Sequence, residues 1–526
     1  VSASMAYTLN LTNESLGEGD WAKGPAGTGE TEYWLNVWAP EYEVGSPAES
    51  WEMPDQSTLI FHIRKGVHYA LNPQSEASRL MGGREFTSED VAFTLNRAFS
   101  LPMAYWVRAG YKGWLKSIET PDKYTVVLKV EDAPKHRTSH LWQLVLEHIH
   151  LAPKEVIEKY GDTQDWKHSA GIGPFMLVDA IAGSAYILEK NTNYWMKDPV
   201  HPENQLPYLD GIKCLIIPDI STRMAAIRTG KVDRIENVGW EDGATLIKTN
   251  PELQYKGGRG EYVNVIFIRI DKPELPIGDV RVRRALFMAT DFEAILNDYY
   301  GGNADIISWP TNPAIKAQYV PFEEMSDMVK EQYTYNPEKA KQLLAEAGYP
   351  NGFKTSVNMD GNAERVDLMS VVKANWAEIG VDLELDIKEY SVFISTAKAH
   401  TYPQMTLYVP TNSRPDRQMY TIGGSTLDMS MTGGVPYLDE RRGKILSFEY
   451  MQPDKLAERN QLVQECNINT LEGAYQLALP TPNNYAFWQP WLQNYRGESS
   501  VGMYNFYRWP KYVWVDQDMK KEMTGR

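Results

Sequence analysis

From Leu59 to Val67 apolar and polar side chains alternate, with Leu59, Phe61 and Ile63 on one side and Ile60, His62 and Arg64 on the other. A period of two predicts a strand. Pro54-Asp55-Gln56-Ser57 ahead of it is turn chemistry, so the stretch is expected to close a hairpin with the preceding AESWEM. Further on the period lengthens. Val91, Leu95 and Ala98 recur at helical spacing behind Thr87 as N-cap, and Ser88, Glu89 and Asp90 fill a first turn where negative charge suits the helix dipole.

The same two periods partition the rest of the chain. IETPDKYTVVLKV (118–130) predicts two strands about a Pro-Asp turn, and GIGPFMLVDAIAGSAYILEK another hairpin turning at Ala182-Gly183-Ser184. A helix is predicted from Pro153. Residues 209–235 read as strand, helix, glycine, strand, with Ser221 as N-cap and Gly230 as stop, a βαβ pattern. Residues 261–271 form a buried strand, and 279–302 two helices about a break. From 335 the order is helix (Pro337 to Gly348), strand, helix (364–380), strand (381–390): an α/β segment reaching about residue 410. The glycine-rich 17–33 predicts a loop. No strand precedes it and no Gly-Lys-Ser/Thr follows, so it is not a phosphate cradle.

A length of 526 residues calls for at least two domains, and 43% hydrophobic residues supply their cores. A net charge of −16 argues against a nucleic-acid partner, which requires a basic surface. No apolar run approaches the roughly 20 residues of a spanning helix. Cys214 and Cys466 read as two separate buried thiols. The opening VSASMAYTLNLTNESL reads as the middle of a helix, so a removed leader or a truncated chain is expected. Among rival chemistries, His136 with His140 and His148 with His150 have metal-compatible spacing. HRTSH lacks the glutamate of a zinc protease, however, and no nucleophile elbow or dinucleotide fingerprint occurs. No enzyme activity, cofactor or metal is expected.

Several blocks together, in order and spacing, carry a resemblance: AESWEMPDQSTLIFHIRKGV, REFTSEDVAFTLNRA, GIGPFMLVD, YLDGIKCLIIPD, DVRVRRALFMATD, YNPEKAKQLLAEAGY and EIGVDLELDIKEY. The chain resembles the family 5 extracellular solute-binding proteins, the peptide- and oligosaccharide-binding receptors of bacterial ABC importers. That resemblance implies an α/β, two-lobed periplasmic-binding-protein fold, type II-like, with an extra inserted domain and a ligand cleft between the lobes. Transferred here, the main lobe would take 1–13, 196–268 and 478–526, the inserted domain 14–195 and the second lobe 269–477. The strand that usually opens the family's main lobe does not precede the helix at 1–16.

The resemblance also nominates ligand-binding residues. The family's Trp-x-x-Asp loop aligns with YVPTNSRPD, on Pro415-Asp416, placing Tyr408 at the tryptophan and Thr411 at the ammonium-anchoring aspartate. Thr411 and Asn412 beside Arg414 suit hydroxyls, carbonyls or a carboxylate better than an ammonium; the alternative is a plain turn. Arg365 falls where relatives pair a ligand carboxylate, or else is a solvent-facing first-turn arginine. Tyr262 and Asn264 face the cleft or pack the hinge, and Tyr485, Phe487 and Trp488 stack on ligand or pack the core. The implied receptor captures a small ligand, a peptide or alternatively an oligosaccharide, and delivers it to ABC permease subunits; a ligand sensor is the other option. It would be a periplasmic or extracellular monomer, with or without a lipid anchor.

Overall fold

The glycine-rich opening is not all loop: β1 (Gly17–Gly19) pairs antiparallel with β2 (Glu43–Gly45). The computed structural model describes every residue except 1–8, 35–39, 103, 109–110, 132–140, 142–144, 147, 261, 308, 411–427, 503–504 and 526. The chain divides into two compact units. One comprises Val1–Val238, Ala244–Lys256 and Tyr485–Arg526; the other comprises Gly239–Gly243 and Gly257–Asn484.

In the first unit the alternating stretch forms the expected hairpin. β3 (Ala48–Asp55) and β4 (Thr58–Ile63) pair with Trp51 opposite Phe61, and join β5 (Leu115–Asp122) and β6 (Thr125–Val130) in the order β3-β4-β6-β5. Leu59, Phe61 and Ile63 are buried with Val126, Leu128 and Val130, the inward row that the alternation predicts. β4 ends at Ile63, short of the expected Val67, because a turn through Gly66 at φ +77° carries the chain out of the sheet. The helix Ser88–Ser100 starts behind Thr87, whose backbone N–H donates to Asp90 Oδ2 at 2.9 Å, and it buries Val91 and Leu95.

β7 (Phe175–Ile181) and β8 (Ala185–Lys190) turn about Gly183 as expected, but the βαβ expectation for 209–235 fails. β9 (Gly211–Leu215) pairs antiparallel with β8 as the edge of a three-stranded sheet, whereas β10 (Arg234–Val238) belongs to a different sheet. The intervening helix Ile220–Arg228 is capped by Asp219, not Ser221. Asp219 Oδ1 accepts from the Thr222 N–H at 2.7 Å, satisfying a donor that Ser221, already inside the helix, cannot reach as a cap. β11 (Gln254–Arg259) follows.

The N- and C-terminal segments of this unit meet at a buried charge cluster. Lys511 Nζ lies 2.8 Å from both oxygens of Glu18, Arg508 Nη1 lies 3.1 Å from Glu18 Oε2, and Tyr194 and Trp195 donate to Glu14. All four charged side chains are essentially solvent-free. Burial pushes the Glu18 carboxyl up, but the two adjacent cations outweigh it and hold it below the usual carboxylate range. Glu14, farther from both cations, is pushed up by the same burial.

The second unit is built on a five-stranded mixed sheet: β12 (Val265–Ile268), β14 (Phe353–Asp360), β15 (Val381–Lys388), β16 (Met405–Tyr408) and β17 (Gln476–Ala478), in the order β15-β14-β16-β12-β17; β13 (Ala304–Asp305) lies outside it. β14 runs parallel to both β15 and β16, and β12 antiparallel to β16 and β17. The expected α/β segment is therefore present. The helix Ala363–Glu378 connects β14 to β15 and the helix Tyr390–Lys398 connects β15 to β16.

Both faces of the sheet are covered, so β12 is apolar throughout: Ile266 and Ile268 enter one core, Val265 and Phe267 the other. The first core takes Leu368, Met369, Val372 and Trp376 from the longer helix, and the second takes Phe393 and Ala397 from the shorter one. Finally, β18 (Thr481–Trp488) carries the chain back: Thr481 and Pro482 pair with β13 in the second unit, and Tyr485, Phe487 and Trp488 pair with β10 in the first. Both cysteines are free, Cys214 half-buried on β9 and Cys466 buried in the helix Leu456–Glu472. No helix among the described residues is long and apolar enough to cross a membrane.

Candidate functional site

In a parallel sheet the carboxyl ends of the strands, and the helix N-termini that follow them, form a ready binding edge. In the second unit this edge is set by register. β14 ends at Asp360 and β15 at Lys388, directly opposite each other, and β16 ends at Tyr408. Antiparallel β12 begins at the same edge, with Val265 facing Tyr408 on one side and Ala478 on the other. The Val263 N–H donates to Pro410 O at 3.1 Å and the Leu479 N–H to Asn264 O at 2.9 Å, so the chain is pinned just beyond the strands. Four nominated residues of the second unit, Tyr262, Asn264, Arg365 and Tyr408, thus collect along one edge of one sheet.

Arg365 sits in the first turn of the helix Ala363–Glu378, where Asn362 Oδ1 caps the Arg365 N–H at 3.1 Å. Its guanidinium does not point free into solvent. Nε donates to Asp360 Oδ1 at 2.9 Å and Nη2 to Asp360 Oδ2 at 2.5 Å, a bidentate side-on pair. Burial raises the Asp360 carboxyl, but the Arg365 hydrogen bonds and charge outweigh this and hold it below the usual range. Among the described residues the pair occupies one edge of the guanidinium, and the Nη1–Nη2 edge has the geometry to take a second planar anion.

Tyr262 is 60% exposed, whereas the Tyr408 ring is half-buried against Phe267 and Phe393, with centroids 6.5 and 6.4 Å apart. Thr411, Asn412, Arg414 and Asp416, the core of the aligned loop, lie outside the described residues, as do His136 and His140.

The three remaining nominated residues, Tyr485, Phe487 and Trp488, belong to the first unit. Tyr485 stacks on Phe487 at 5.9 Å, with Tyr255 tilted against both, and is only 7% exposed. Trp488 is 6% exposed and edge-on to Tyr495 at 4.8 Å, within a core that includes Trp509 and Tyr512; it is a packing ring in this structure. Sequence reasoning missed Asp360, although it precedes Arg365 by five residues across a Gly-Asn turn, the spacing at which a strand-end carboxylate reaches a first-turn arginine.

Comparison with known proteins agrees with this architecture. The model of the bacterial extracellular solute-binding proteins, family 5 Middle, matches residues 44–429. The chain belongs to that family and is a solute-binding protein of α/β class. Heme-binding protein A of Haemophilus influenzae is 31% identical over 369 residues, 67% of this chain and 63% of that protein, so the match spans less than two thirds of that relative's length. The dipeptide-binding protein of Escherichia coli is 25% identical over 406 residues, 73% of this chain and 71% of that protein. The solved structure of HbpA2 from Haemophilus parasuis superposes with a TM-score of 0.76 at 21% identity, covering 98% of this chain and 96% of that one, which establishes the shared fold.

Proposed function

We propose that this chain is the extracytoplasmic receptor of an ABC-type importer, that it captures a peptide, and that it passes the peptide chemically unchanged to permease subunits. The observation that carries the reading is the gathering of Tyr262, Asn264, Arg365 and Tyr408 along the carboxyl edge of the second unit's sheet. The Nη1–Nη2 edge of Arg365 has the geometry to take a peptide carboxylate, and the exposed Tyr262 ring suits a side chain of an extended peptide. The similarity to a dipeptide-binding protein supports the same class. Thr411 and Asn412 in the aligned loop favour peptides longer than two residues, gripped by their backbone, because an ammonium buried there would lack a carboxylate. The receptor acts in the periplasm or outside the cell, with or without a lipid anchor at the membrane surface.

A thermal-shift screen of dipeptides, tri- to pentapeptides and oligosaccharides tests the assignment, since a tight ligand raises the melting temperature by mass action. Longer peptides are expected to raise it, dipeptides little, and ligand recovered after denaturation should have its original mass. A rise with oligosaccharides alone would refute the peptide reading.

A second reading, a tetrapyrrole ligand, is favoured by the similarity to heme-binding protein A. Titration with hemin separates the two: saturable binding with a shifted Soret band, and no response to peptides, would replace the first reading.

A further inference from the structure

The helix Tyr390–Lys398 packs one stripe against the second core of its unit, and the stripe runs Tyr390, Phe393, Ile394, Ala397 at helical spacing. Phe393 and Ala397 are buried, as their phase requires. Tyr390 is in the same phase yet is 63% exposed. The stripe therefore overruns its core by one aromatic residue, at the end of the helix that adjoins the carboxyl edge of the sheet.

The overrun is not isolated. The Tyr390 and Phe393 centroids lie 6.4 Å apart, and Phe393 lies 6.4 Å from Tyr408, so three rings form a row from the exposed Tyr390 to the residue that ends β16. The row continues inward from Tyr408 to Phe267 and Trp309. Phe393, Phe267 and Trp309 are buried; Tyr390 at the outer end is not. A tyrosine supplies large, rigid contact area with few rotors to immobilise, which is why such rings recur where ligands stack. The charged neighbours do not shade it: Glu389 folds onto the helix N-terminus, accepting from the Ser391 N–H at 2.8 Å, and Lys388 pairs with Asp386.

Resting on the peptide reading above, we propose that Tyr390 contacts the ligand and that the Tyr390–Phe393–Tyr408 row selects peptides bearing an aromatic or large apolar side chain. Such a side chain would extend the row outward from Tyr390, while Arg365, in the first turn of the helix that follows the neighbouring strand, takes an anionic group.

The test uses the full chain and an equimolar pool of tetrapeptides built from Ala, Ser, Lys, Glu and Phe. The protein is incubated with the pool and desalted, and the retained peptides are identified by mass spectrometry. Phe-bearing members are expected to be enriched about tenfold over their Ala counterparts, the scale of one well-packed aromatic contact. Tyr390→Ser should lose that enrichment while still retaining peptides. Because Tyr390 is exposed, the substitution leaves the core intact; an unchanged melting temperature verifies this, and Trp514→Ser, an exposed ring in the other unit, serves as the control. Unchanged enrichment in Tyr390→Ser would overturn the role of Tyr390 and leave the peptide reading standing. Retention of no tetrapeptide by the unsubstituted protein would overturn the peptide reading and this inference with it.

Discussion

Glu498 makes the pH dependence of the first unit predictable. Its carboxyl is wholly buried, Oε2 accepts the Arg496 N–H at 2.8 Å, and among the described residues Oε1 has no hydrogen-bond partner. Burial pushes its pKa from the ordinary 4.5 up to about 7, against the opposing charges of Arg496 and Arg234. A carboxyl whose folded value lies above its unfolded value binds protons more tightly in the fold. Its contribution is therefore fully present below pH 4.5 and is lost as pH rises through 7. At about 1.4 kcal/mol per pKa unit, the gap corresponds to about 3 kcal/mol of stability present in mild acid and absent at pH 8.

Glu498→Gln removes the titration and keeps an acceptor for the Arg496 N–H. Urea unfolding followed by tryptophan fluorescence, at half-unit steps from pH 5 to 8, reads the difference between the two proteins. The variant should gain on the parent steadily with rising pH, by about 3 kcal/mol in total, with most of the change complete by pH 7.5. Parallel profiles across the whole range would refute the reasoning, since they would mean that Glu498 ionises in the fold as freely as in the open chain.

Three further outcomes are expected. His150, with Nδ1 shut off from solvent and unpartnered, is held down to about 3 by burial and then by the charges of His148 and Arg508; stability tied to it is intact above pH 6.5 and lost as pH falls, so His150→Gln should shift acid unfolding, followed by circular dichroism, to lower pH. Arg283 is buried, forms no carboxylate ion pair among the described residues, and donates to Ile277 O, Gly278 O and Gly473 O at 2.7–3.1 Å; Arg283→Met removes these bonds and should lower the stability of the second unit by about 3 kcal/mol in urea titrations. Thiol titration in denaturant should count two free thiols, one from each unit, and a count of zero would contradict the placement of Cys214 and Cys466.

What was legible in the sequence was local. The β3–β4 hairpin, the capped helix behind Thr87, and the helix from Asn336-Pro337 to the left-handed Gly348 each follow from side chains within a few residues of one another. The parallel β14–β15 pair was legible because a long amphipathic connection leaves two apolar strands little alternative. The partnership of β9 was not. A five-residue strand of mixed polarity carries no mark of which sheet it will join, and β8 claims it by being adjacent. At the candidate site, Arg365 was visible as a residue type in a place, but its lock onto Asp360 is a property of how the strand end meets the helix. The exposure of Tyr390 was invisible too, because phase alone assigns it to the core.

The charge cluster that joins Glu14 and Glu18 to Arg508 and Lys511 has a consequence for the order in which the molecule is assembled. The second unit is contiguous from Gly257 to Asn484 apart from one short piece, so all of it precedes Arg508 and Lys511 in the chain. The first unit is not: Glu18 is neutralised by Arg508 and Lys511, which follow it by 490 and 493 residues. Until Lys511 arrives, closing that region would bury uncompensated negative charge at a cost of several kcal/mol. The segment carrying Glu14 and Glu18 is thus held open by its own electrostatics until the one carrying Arg508 and Lys511 is present, so this region closes late, as a clasp between stretches far apart in the chain.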